Sequence, residues 1–245
     1  MILYMTACQQ ADQWASTVCV NGGTSAIQEI SIPRTLTVAA DGRWQSGNNH
    51  GNLYNWPIGG KGGGEPVRAL ILSDVHSNME ALTTVLDDAV DRWGDVVWCL
   101  GDLVGYGPDP GACVQMIRRY DLLGVAGNHD LTDVGKRSAD DFNYAATAAI
   151  QCTASQLSDE ETDFLANLST VVTAQLFTLV HDSLRAPVDE YLLEQDSALA
   201  TLNLMQTPFC LVGHSHIPFI CRENEGSPIF SQFNEDEVFS WGKRV

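Results

Sequence analysis

The sequence predicts an α/β fold built on a mixed system of β-sheets, and three features of the chain support this. Short apolar runs alternate with amphipathic helical segments through the middle of the chain, as strands joined by crossover helices do. From residue 208 onwards the sequence has no long helical pattern, which indicates strands and turns. Five apolar runs also stop at Asp, Asn or His, and the carboxyl ends of strands are where α/β sheets place ligands.

The run at residues 70–72 is followed by Asp74 and His76, which are spaced two apart. In an extended segment such residues point the same way, so a carboxylate oxygen and a ring nitrogen can reach one cation together. The alternative for this pair alone is that Asp74 caps the next helix and His76 is a surface imidazole. Ser77 and Glu80 predict a capping box for that helix, which returns the chain to the next strand.

Four later runs end in the same kinds of residue. The runs at residues 96–100, 122–126, 176–180 and 209–212 stop at Gly101-Asp102, Gly127-Asn128-His129-Asp130, His181-Asp182 and Gly213-His214-Ser215-His216. Helices are predicted from Asp109-Pro110, over residues 143–154, after Ser158 and over residues 188–205. Residues 171–180 predict two strands with a turn near Ala174. Strand–helix alternation is thus followed by hairpins.

Taken together, the motifs D-x-H, G-D, G-N-H-D, H and G-H-x-H resemble the calcineurin-like metallophosphoesterase superfamily, in its small prokaryotic type. The resemblance spans residue 67 to about residue 221. It implies an αββα sandwich, in which two mixed β-sheets are flanked by helices. It also implies a phosphoesterase that hydrolyses a small phosphodiester or phosphomonoester by a hydroxide bridging two metal ions.

The candidate ligands are oxygen and nitrogen donors without thiolates, a set that selects Mn, Fe, Zn or Ni. Seven candidates exceed what one ion binds, which indicates two divalent ions. The resemblance divides them as follows: Asp74, His76 and His216 at one ion, Asn128, His181 and His214 at the other, and Asp102 as the bridge. Two ions about 3.5 to 4 Å apart lower the pKa of a bridging water and hold the attacking and leaving oxygens.

His129 has a separate role by resemblance, beside the bridging Asp102. It would approach the phosphoryl oxygen or the leaving group as an electrostatic stabiliser or proton donor, and the alternative is a structural histidine. After His181 the family usually has Gly, whereas this chain has Asp182, which could crowd or over-charge the site. Arg185 is interpreted as a solvated arginine, and His50 as a surface residue.

An acidic run follows the G-N-H motif, and it is interpreted as a solvated face without a role; it contains Asp130, Asp133, Asp140 and Asp141. Protein Ser/Thr phosphatases of the superfamily carry arginines soon after the second-motif aspartate and the third-motif histidine. This chain has Val104-Gly105-Tyr106 and Asp130-Leu131 at those places, so a phosphoprotein is the less favoured substrate. The alternative from another class is a non-catalytic or weakly active scaffold of the same fold.

Composition limits the partners further. The formal net charge of −18 repels the phosphate backbone of nucleic acids, so no nucleic-acid scaffold binding is expected, although bound cations can reverse the field at a site. No apolar stretch approaches the 18 or so residues of a membrane span, so no membrane partner is expected. Seven cysteines without a C-x-x-C pair favour a cytoplasmic location. The expected partner is a small phosphorylated substrate, and the oligomeric state is left open.

The chain is predicted to divide at a Gly-rich linker that ends near Pro66. Residues 1–65 are expected to form an irregular amino-terminal extension, with weak strands at 30–32 and 35–38, whose deletion changes little. By the resemblance, residues 66–245 are expected to form a metallophosphoesterase domain that is truncated at its carboxyl end. Relatives are expected to continue beyond residue 245 with further sheet strands, so an uncovered strand edge, marginal stability and self-association are expected.

Overall fold

The computed structural model describes residues 2–4, 69–93, 96–174 and 176–232. Within these ranges the elements in chain order are β1 Ile2–Tyr4, β2 Ala69–Leu72, α1 Met79–Trp93, β3 Val96–Cys99, α2 Pro110–Ile117, β4 Leu122–Gly124, α3 Asn128–Asp133, α4 Tyr144–Gln156, α5 Asp159–Ala166, β5 Val171–Ala174, β6 Phe177–Val180, α6 Gln195–Leu204, β7 Phe209–Val212, β8 Phe219–Asn224 and β9 Ser227–Gln232.

The strands form two sheets. The larger is mixed and has six strands in the order β5-β6-β7-β1-β8-β9, and the smaller has three strands in the order β2-β3-β4. Strands β2, β3 and β4 are parallel to one another, so the described part of the smaller sheet is parallel rather than mixed. Parallel pairing requires crossover connections, and α1 and α2 supply them.

The two sheets pack face to face. Leu123 from the smaller sheet and Leu179 and Leu211 from the larger belong to one buried apolar cluster. On the outer side of the smaller sheet, a second cluster joins its strands to α1, α2 and α5. On the outer side of the larger sheet, a third cluster joins β6, β7 and β8 to α6. This layering confirms the predicted αββα sandwich of two sheets between helices.

Strand β1 comes from the segment that the sequence predicted to lie outside the fold. Ile2–Tyr4 pairs in parallel with β7 and in antiparallel with β8, so it fills the position between them. The facing edges of β7 and β8 are therefore both paired in this structure, while the uncovered edge expected from missing carboxyl-terminal strands stays a prediction. The predicted isolation of residues 1–65 is wrong for these three residues. The segments 30–32 and 35–38 and residues 233–245 lie outside the described residues.

The helix starts show which capping predictions hold. Ser158 and Glu161 form a capping box on α5, and Asn143 caps α4 through a 2.9 Å bond from Ala146 N, which is typical of such residues. The cap of α1 was predicted one residue too early. Asn78 Oδ1 accepts the Ala81 N–H at 2.9 Å, whereas Ser77 has a left-handed backbone (φ 55°) and does not fill that role.

The remaining elements differ from the predictions in extent and by one additional helix. The helix predicted over residues 188–205 begins at Gln195, and the short helix α3 was not predicted. Strands β5 and β6 meet near Ala174, as the sequence indicated. Within the described ranges, no helix is both long enough and apolar enough to cross a membrane.

Candidate metal centre

The candidate ligands lie where five strands end. Asp74 follows β2, Asp102 follows β3 and Asn128 opens α3 just after β4, all on the smaller sheet. His181 follows β6 and His214 follows β7 on the larger sheet. Because the two sheets face each other with these ends together, side chains from both converge on one place. The converging residues are largely buried, and Asp74 and His181 have no exposed surface.

The first group contains Asp74, His76 and His216, whose ligand atoms all lie within 4.8 Å of one another. His76 Nε2 and His216 Nε2 are 3.3 Å apart, and His216 Nε2 is 3.4 Å from Asp74 Oδ1. Burial lowers the pKa of His76 to about 3, so its imidazole is neutral and keeps a lone pair. Burial would raise the pKa of Asp74, but His216 outweighs it and lowers that pKa to about 2.

The second group contains Asp102, His181 and His214. His181 Nε2 lies 3.3 Å from Asp102 Oδ2 and 3.1 Å from Asn128 Oδ1, so Asn128 adjoins this group. His181 Nδ1 lies 2.7 Å from the carbonyl oxygen of Leu100, which fixes the orientation of the ring. Burial opposes protonation of His181, but Asp102 outweighs it and raises the pKa to about 10. A divalent cation at this place would compete with that proton.

The spacing of these atoms fits metal ligation. Two atoms bound to one ion at about 2.0–2.2 Å lie about 3.0–3.4 Å apart when they are neighbours around it. The contacts of His216 with His76 and Asp74, and of His181 with Asp102, fall in or close to this range at 3.3, 3.4 and 3.3 Å. Asp102 Oδ2 is also 3.7 Å from His76 Nε2, so its carboxylate lies between the two groups. The donor set therefore fits metal binding, while the number of ions and the assignment of each ligand stay predictions.

The loops that carry the ligands have an unusual backbone. Five of the candidate ligands have positive φ, namely Asp74 (55°), His76 (49°), Asp102 (51°), His214 (72°) and His216 (54°). Backbone hydrogen bonds between neighbouring loops hold this conformation, from Asp74 N to Gly101 O at 3.0 Å and from His76 N to Asp102 O at 2.9 Å. Such strained residues concentrate at functional sites, where the surrounding structure enforces them.

Two of the motif glycines, Gly101 and Gly127, permit close approach of these loops. Gly101 has φ of +100°, and a Cβ there would lie 2.6 Å from Gly127 N and 2.7 Å from His181 Nδ1. A Cβ on Gly127 would collide with Asp102 Oδ1. Only glycine therefore lets Asp102 lie against the start of α3.

His129 lies beside the ligands in a buried, mostly aromatic pocket. Its backbone N–H donates to Asp102 Oδ1 at 2.9 Å, and its ring centroid is 4.3 Å from that of Tyr106 and 4.9 Å from that of Phe142. Burial lowers the pKa of His129 to about 4, so the ring is a neutral imidazole that can donate one N–H. Its ligand atom lies within 4.8 Å of those of His76 and Asp102.

This arrangement can be compared with known proteins. A model described as the calcineurin-like phosphoesterase superfamily domain matches residues 67–233, more than half of the chain. The chain belongs to the calcineurin-like phosphoesterase superfamily. The resemblance drawn from the sequence motifs is therefore confirmed.

Individual known proteins are similar over parts of the chain. An uncharacterised protein of Methanocaldococcus jannaschii is 39% identical over 158 residues, which cover 62% of this chain and 64% of that protein. The symmetrical bis(5′-nucleosyl)-tetraphosphatase of Baumannia cicadellinicola is 40% identical over 63 residues, 24% of this chain and 22% of that enzyme. The chain thus spans less than two thirds of the length of these curated relatives. The crystal structure of a metallophosphoesterase from Sphaerobacter thermophilus has a TM-score of 0.59 and 38% identity, covering 70% of this chain and 73% of that one.

The departure from the superfamily pattern at residue 182 lies in the site itself. Asp182 is 1% exposed, and its Oδ2 is 3.3 Å from His214 Nε2. Burial raises the pKa of the Asp182 carboxyl to about 9. The sequence identified this residue as a departure but not its contact. Sequence reasoning missed Tyr191, whose ring centroid is 4.0 Å from that of His214, since no motif includes it.

The acidic run after the G-N-H motif is only partly a solvated face. Asp140 and Asp141 are exposed, but Asp130 and Asp133 are buried, so the prediction is wrong for these two. Asp130 accepts the N–H of Gly127 at 2.9 Å and that of Val104 at 3.1 Å, which joins the second and third motif loops. The i, i+3 spacing of Asp130 and Asp133 on one turn of helix could have indicated this shared buried side.

Two other sequence predictions concern residues away from the ligands. Arg185 lies on the surface and forms ion pairs with Glu190 at 2.5 Å and Asp196 at 2.8 Å. The contact with Glu190 keeps this arginine within its own loop. His50 lies outside the residues that the structure describes.

The buried Asp133 makes stability depend on pH. Burial and the nearby Asp130 raise the pKa of Asp133 from 3.8 to about 9. The contribution that the protonated Asp133 makes to the free energy of unfolding is therefore fully present below about pH 4 and is lost as the pH rises towards 9. We expect Asp133→Asn, compared with the unaltered chain, to gain up to about 1.4 kcal/mol in unfolding free energy per pH unit over this range. Denaturant unfolding with a chelator present measures this. The exposed Asp140→Asn is the matched control, and a gain independent of pH would contradict the expectation.

Proposed function

We propose that this protein is a metal-dependent phosphoesterase that hydrolyses a small phosphorylated substrate at a dinuclear centre. The observation that carries the proposal is the convergence of seven candidate ligands in two adjoining groups, with the Asp102 carboxylate between them. A single ion takes four to six ligands, so seven are better explained by two ions that share one. Membership of the superfamily supports the same chemistry.

Each group of residues would have a distinct task. Asp74, His76 and His216 would hold one ion, Asn128, His181 and His214 the other, and Asp102 both. Two bound ions supply a water activated at neutral pH and charge neutralisation on the attacking and leaving oxygens. The loops after β2, β3 and β7 keep the ligand atoms at their spacing because backbone hydrogen bonds and left-handed residues fix them. This preorganisation reduces the rearrangement that ion binding requires.

His129 would act on the substrate. It is neutral, its ring centroid lies 5.0 Å from that of His76, and it packs against Tyr106, so its ring would be held near the phosphoryl group of a bound substrate. Its N–H would donate a hydrogen bond to a phosphoryl oxygen or a proton to the leaving oxygen. Its backbone N–H meanwhile orients Asp102, which links the catalytic residue to the bridging ligand.

The substrate we propose is a small phosphodiester or phosphomonoester, with a nucleotide as the favoured class. Similarity to a bis(5′-nucleosyl)-tetraphosphatase supports a nucleotide, and the ring of Tyr191, 56% exposed and packed on His214, offers a face on which a base could stack. The net charge of −18 disfavours long polyanions such as nucleic acids. Neither a nucleic-acid nor a membrane partner forms part of the proposal.

We expect two divalent ions per chain, loss of hydrolysis on chelation and recovery on adding Mn. The reason is that the ligand atoms of both groups lie at ligand spacing without any rearrangement. Elemental analysis of metal-replete protein, paired with hydrolysis of mono- and bis-p-nitrophenyl phosphate, measures both quantities.

A stoichiometry of one ion or less in folded protein would contradict the dinuclear centre. Two bound ions without hydrolysis of either ester would instead favour the non-catalytic scaffold. Preference between the two esters separates a monoesterase from a diesterase.

A further inference from the structure

The loop between β3 and α2 holds a tyrosine in a strained backbone conformation. Tyr106 has φ of 57°, in the left-handed region, and it stands between Gly105 and Gly107. Glycine adopts that region freely, whereas a bulky residue there is a genuine outlier and costs free energy. Such strain persists only where the surrounding structure enforces it. The contacts of Tyr106 therefore indicate what the strained turn provides.

Both neighbouring glycines bring this loop close to two histidines of the site. Gly107 N donates to the carbonyl oxygen of His76 at 3.0 Å, and a Cβ on Gly107 would collide with that oxygen. A Cβ on Gly105 would lie only 2.6 Å from His129 Nδ1. Side chains are thus excluded on either side of Tyr106, and the tyrosine ring is the group that the turn presents to the site.

The ring of Tyr106 packs against the rings of both histidines. Its centroid lies 4.3 Å from that of His129 and 4.9 Å from that of His76. The two histidines are buried, whereas Tyr106 is half-buried. Of the three rings, Tyr106 is therefore the one that reaches the surface.

The His129 ring lacks the hydrogen bond that usually orients a catalytic histidine. In a hydrolytic triad, a carboxylate binds the ring nitrogen that faces away from the reaction, and this fixes the ring. Nδ1 of His129 is buried and has no hydrogen-bond partner within the described residues. The orientation of this ring therefore depends on packing. Among the described rings that pack against it, Tyr106 is closest at 4.3 Å between centroids, with Phe142 at 4.9 Å and His76 at 5.0 Å.

We propose that Tyr106 is a positioning residue, whose ring holds the His129 imidazole in the orientation from which it acts on the substrate. The inference rests on the proposed function, in which His129 has that role. Aromatic packing here does what a hydrogen-bonded carboxylate does in a triad. Misplacing a reacting group by about 1 Å can cost about 10²-fold in rate, so the ring offsets the strain of its own backbone by its effect on the reaction.

The test uses two variants that both remove the ring but differ in backbone strain. Tyr106→Gly relieves the strain, whereas Tyr106→Ala keeps it. In full-length, metal-replete protein, both should lower kcat by about 10²-fold, with KM and metal content near those of the unaltered chain. Steady-state hydrolysis of bis-p-nitrophenyl phosphate and elemental analysis measure this. The Gly variant should nevertheless melt at a higher temperature than the Ala variant, and Tyr106→Phe, which keeps the ring, should keep kcat.

Tyr144 supplies the matched control. It is 91% exposed and is the first residue of α4. Tyr144→Ala should leave kcat unchanged. Tyr144→Gly should melt at a lower temperature than Tyr144→Ala, because glycine is unfavourable in a helix. The order of the two melting temperatures is thus the reverse of the order expected at residue 106.

A second readout does not depend on hydrolysis. In metal-free protein, ¹H–¹³C correlation spectra of the histidine rings contain a His129 signal, which the His129→Ala variant identifies. The ring current of Tyr106 should displace this signal in the unaltered chain, and Tyr106→Phe should preserve the displacement. In Tyr106→Gly and Tyr106→Ala the displacement should disappear and the signal should broaden, because the ring samples more orientations.

Four results would overturn the inference. Activity that recovers in Tyr106→Gly together with its melting temperature would make the role one of folding stability alone. A Phe variant as inactive as the Ala variant would assign the effect to the hydroxyl group instead of the ring. Unchanged kcat in the Gly and Ala variants would contradict the inference, and so would loss of metal from them. If the unaltered chain hydrolyses neither ester, the proposed function fails, whereas an unchanged His129 signal in Tyr106→Gly contradicts only the inference.

Discussion

In the His129→Ala variant, kcat is expected to fall by roughly 10²- to 10⁴-fold while metal content stays near that of the unaltered protein. His129 is neutral and buried, and its ring faces the candidate ligands from an aromatic pocket, so removing it deletes a proton donor without removing a carboxylate. Steady-state hydrolysis of bis-p-nitrophenyl phosphate and elemental analysis of the same sample measure both quantities.

Asp102→Ala is the contrasting variant, because Asp102 lies within reach of His76 in one group and His181 in the other. It is expected to lose metal as well as activity. If both variants lose metal equally, His129 is itself a ligand and the separation of catalyst from ligand is wrong. Phe142→Leu serves as a control for the packing of the pocket, since Phe142 contacts the His129 ring without offering a ligand atom.

Deleting residues 1–65 is expected to unfold the larger sheet, in contrast to the small effect that the sequence suggested. Ile2–Tyr4 pairs with Cys210, Leu211 and Val212 on one side, and Ile2 and Leu3 pair with Cys221 and Ile220 on the other. Without β1, facing edges of β7 and β8 would be unpaired next to buried residues such as Leu211 and Ile220. Because whole domains are stable by only about 5–15 kcal/mol, the loss of a central strand is large.

Thermal unfolding of the truncated and full-length chains tests this. Leu3→Pro in the full-length chain is a second variant, since proline cannot donate its share of the ladder hydrogen bonds, and Leu3→Val is its matched control. A truncated chain that melts like the full-length one would show that β1 is dispensable. A Leu3→Pro variant as stable as Leu3→Val would lead to the same conclusion.

The sequence was most informative where structure is local. An apolar run followed by a polar residue predicts a strand and its carboxyl end, so the positions of Asp74, Asp102, His181 and His214 relative to their strands were predictable. The alternation of strand and helix patterns, together with the superfamily resemblance, predicted the two sheets and the outer helices. The ligand groups meet because the two sheets pack against each other. The family resemblance implied this packing, whereas the residues alone did not indicate it.

What the sequence did not predict depends on long-range contacts. The partners of Ile2–Tyr4 lie about two hundred positions away in the chain, and three residues carry no periodic pattern that could indicate a central strand. Asp130 and Asp133 were interpreted as solvated because charge usually indicates exposure, yet Asp130 is needed to fasten two motif loops. Asp182 could be recognised as unusual, but its contact with His214 depends on how β6 and β7 pair.

The left-handed backbone of five candidate ligands has an evolutionary consequence. A non-glycine residue in that conformation costs of the order of 1–3 kcal/mol, whereas glycine adopts it freely. Replacing His214 or His216 by glycine would therefore relieve strain while removing a ligand, so mutational drift at these positions leads towards a more stable protein that lacks its chemistry. Retaining histidine and aspartate at all five positions works against folding stability. Their joint presence in this chain is therefore easier to reconcile with the proposed catalytic role than with a scaffold, which would not need them.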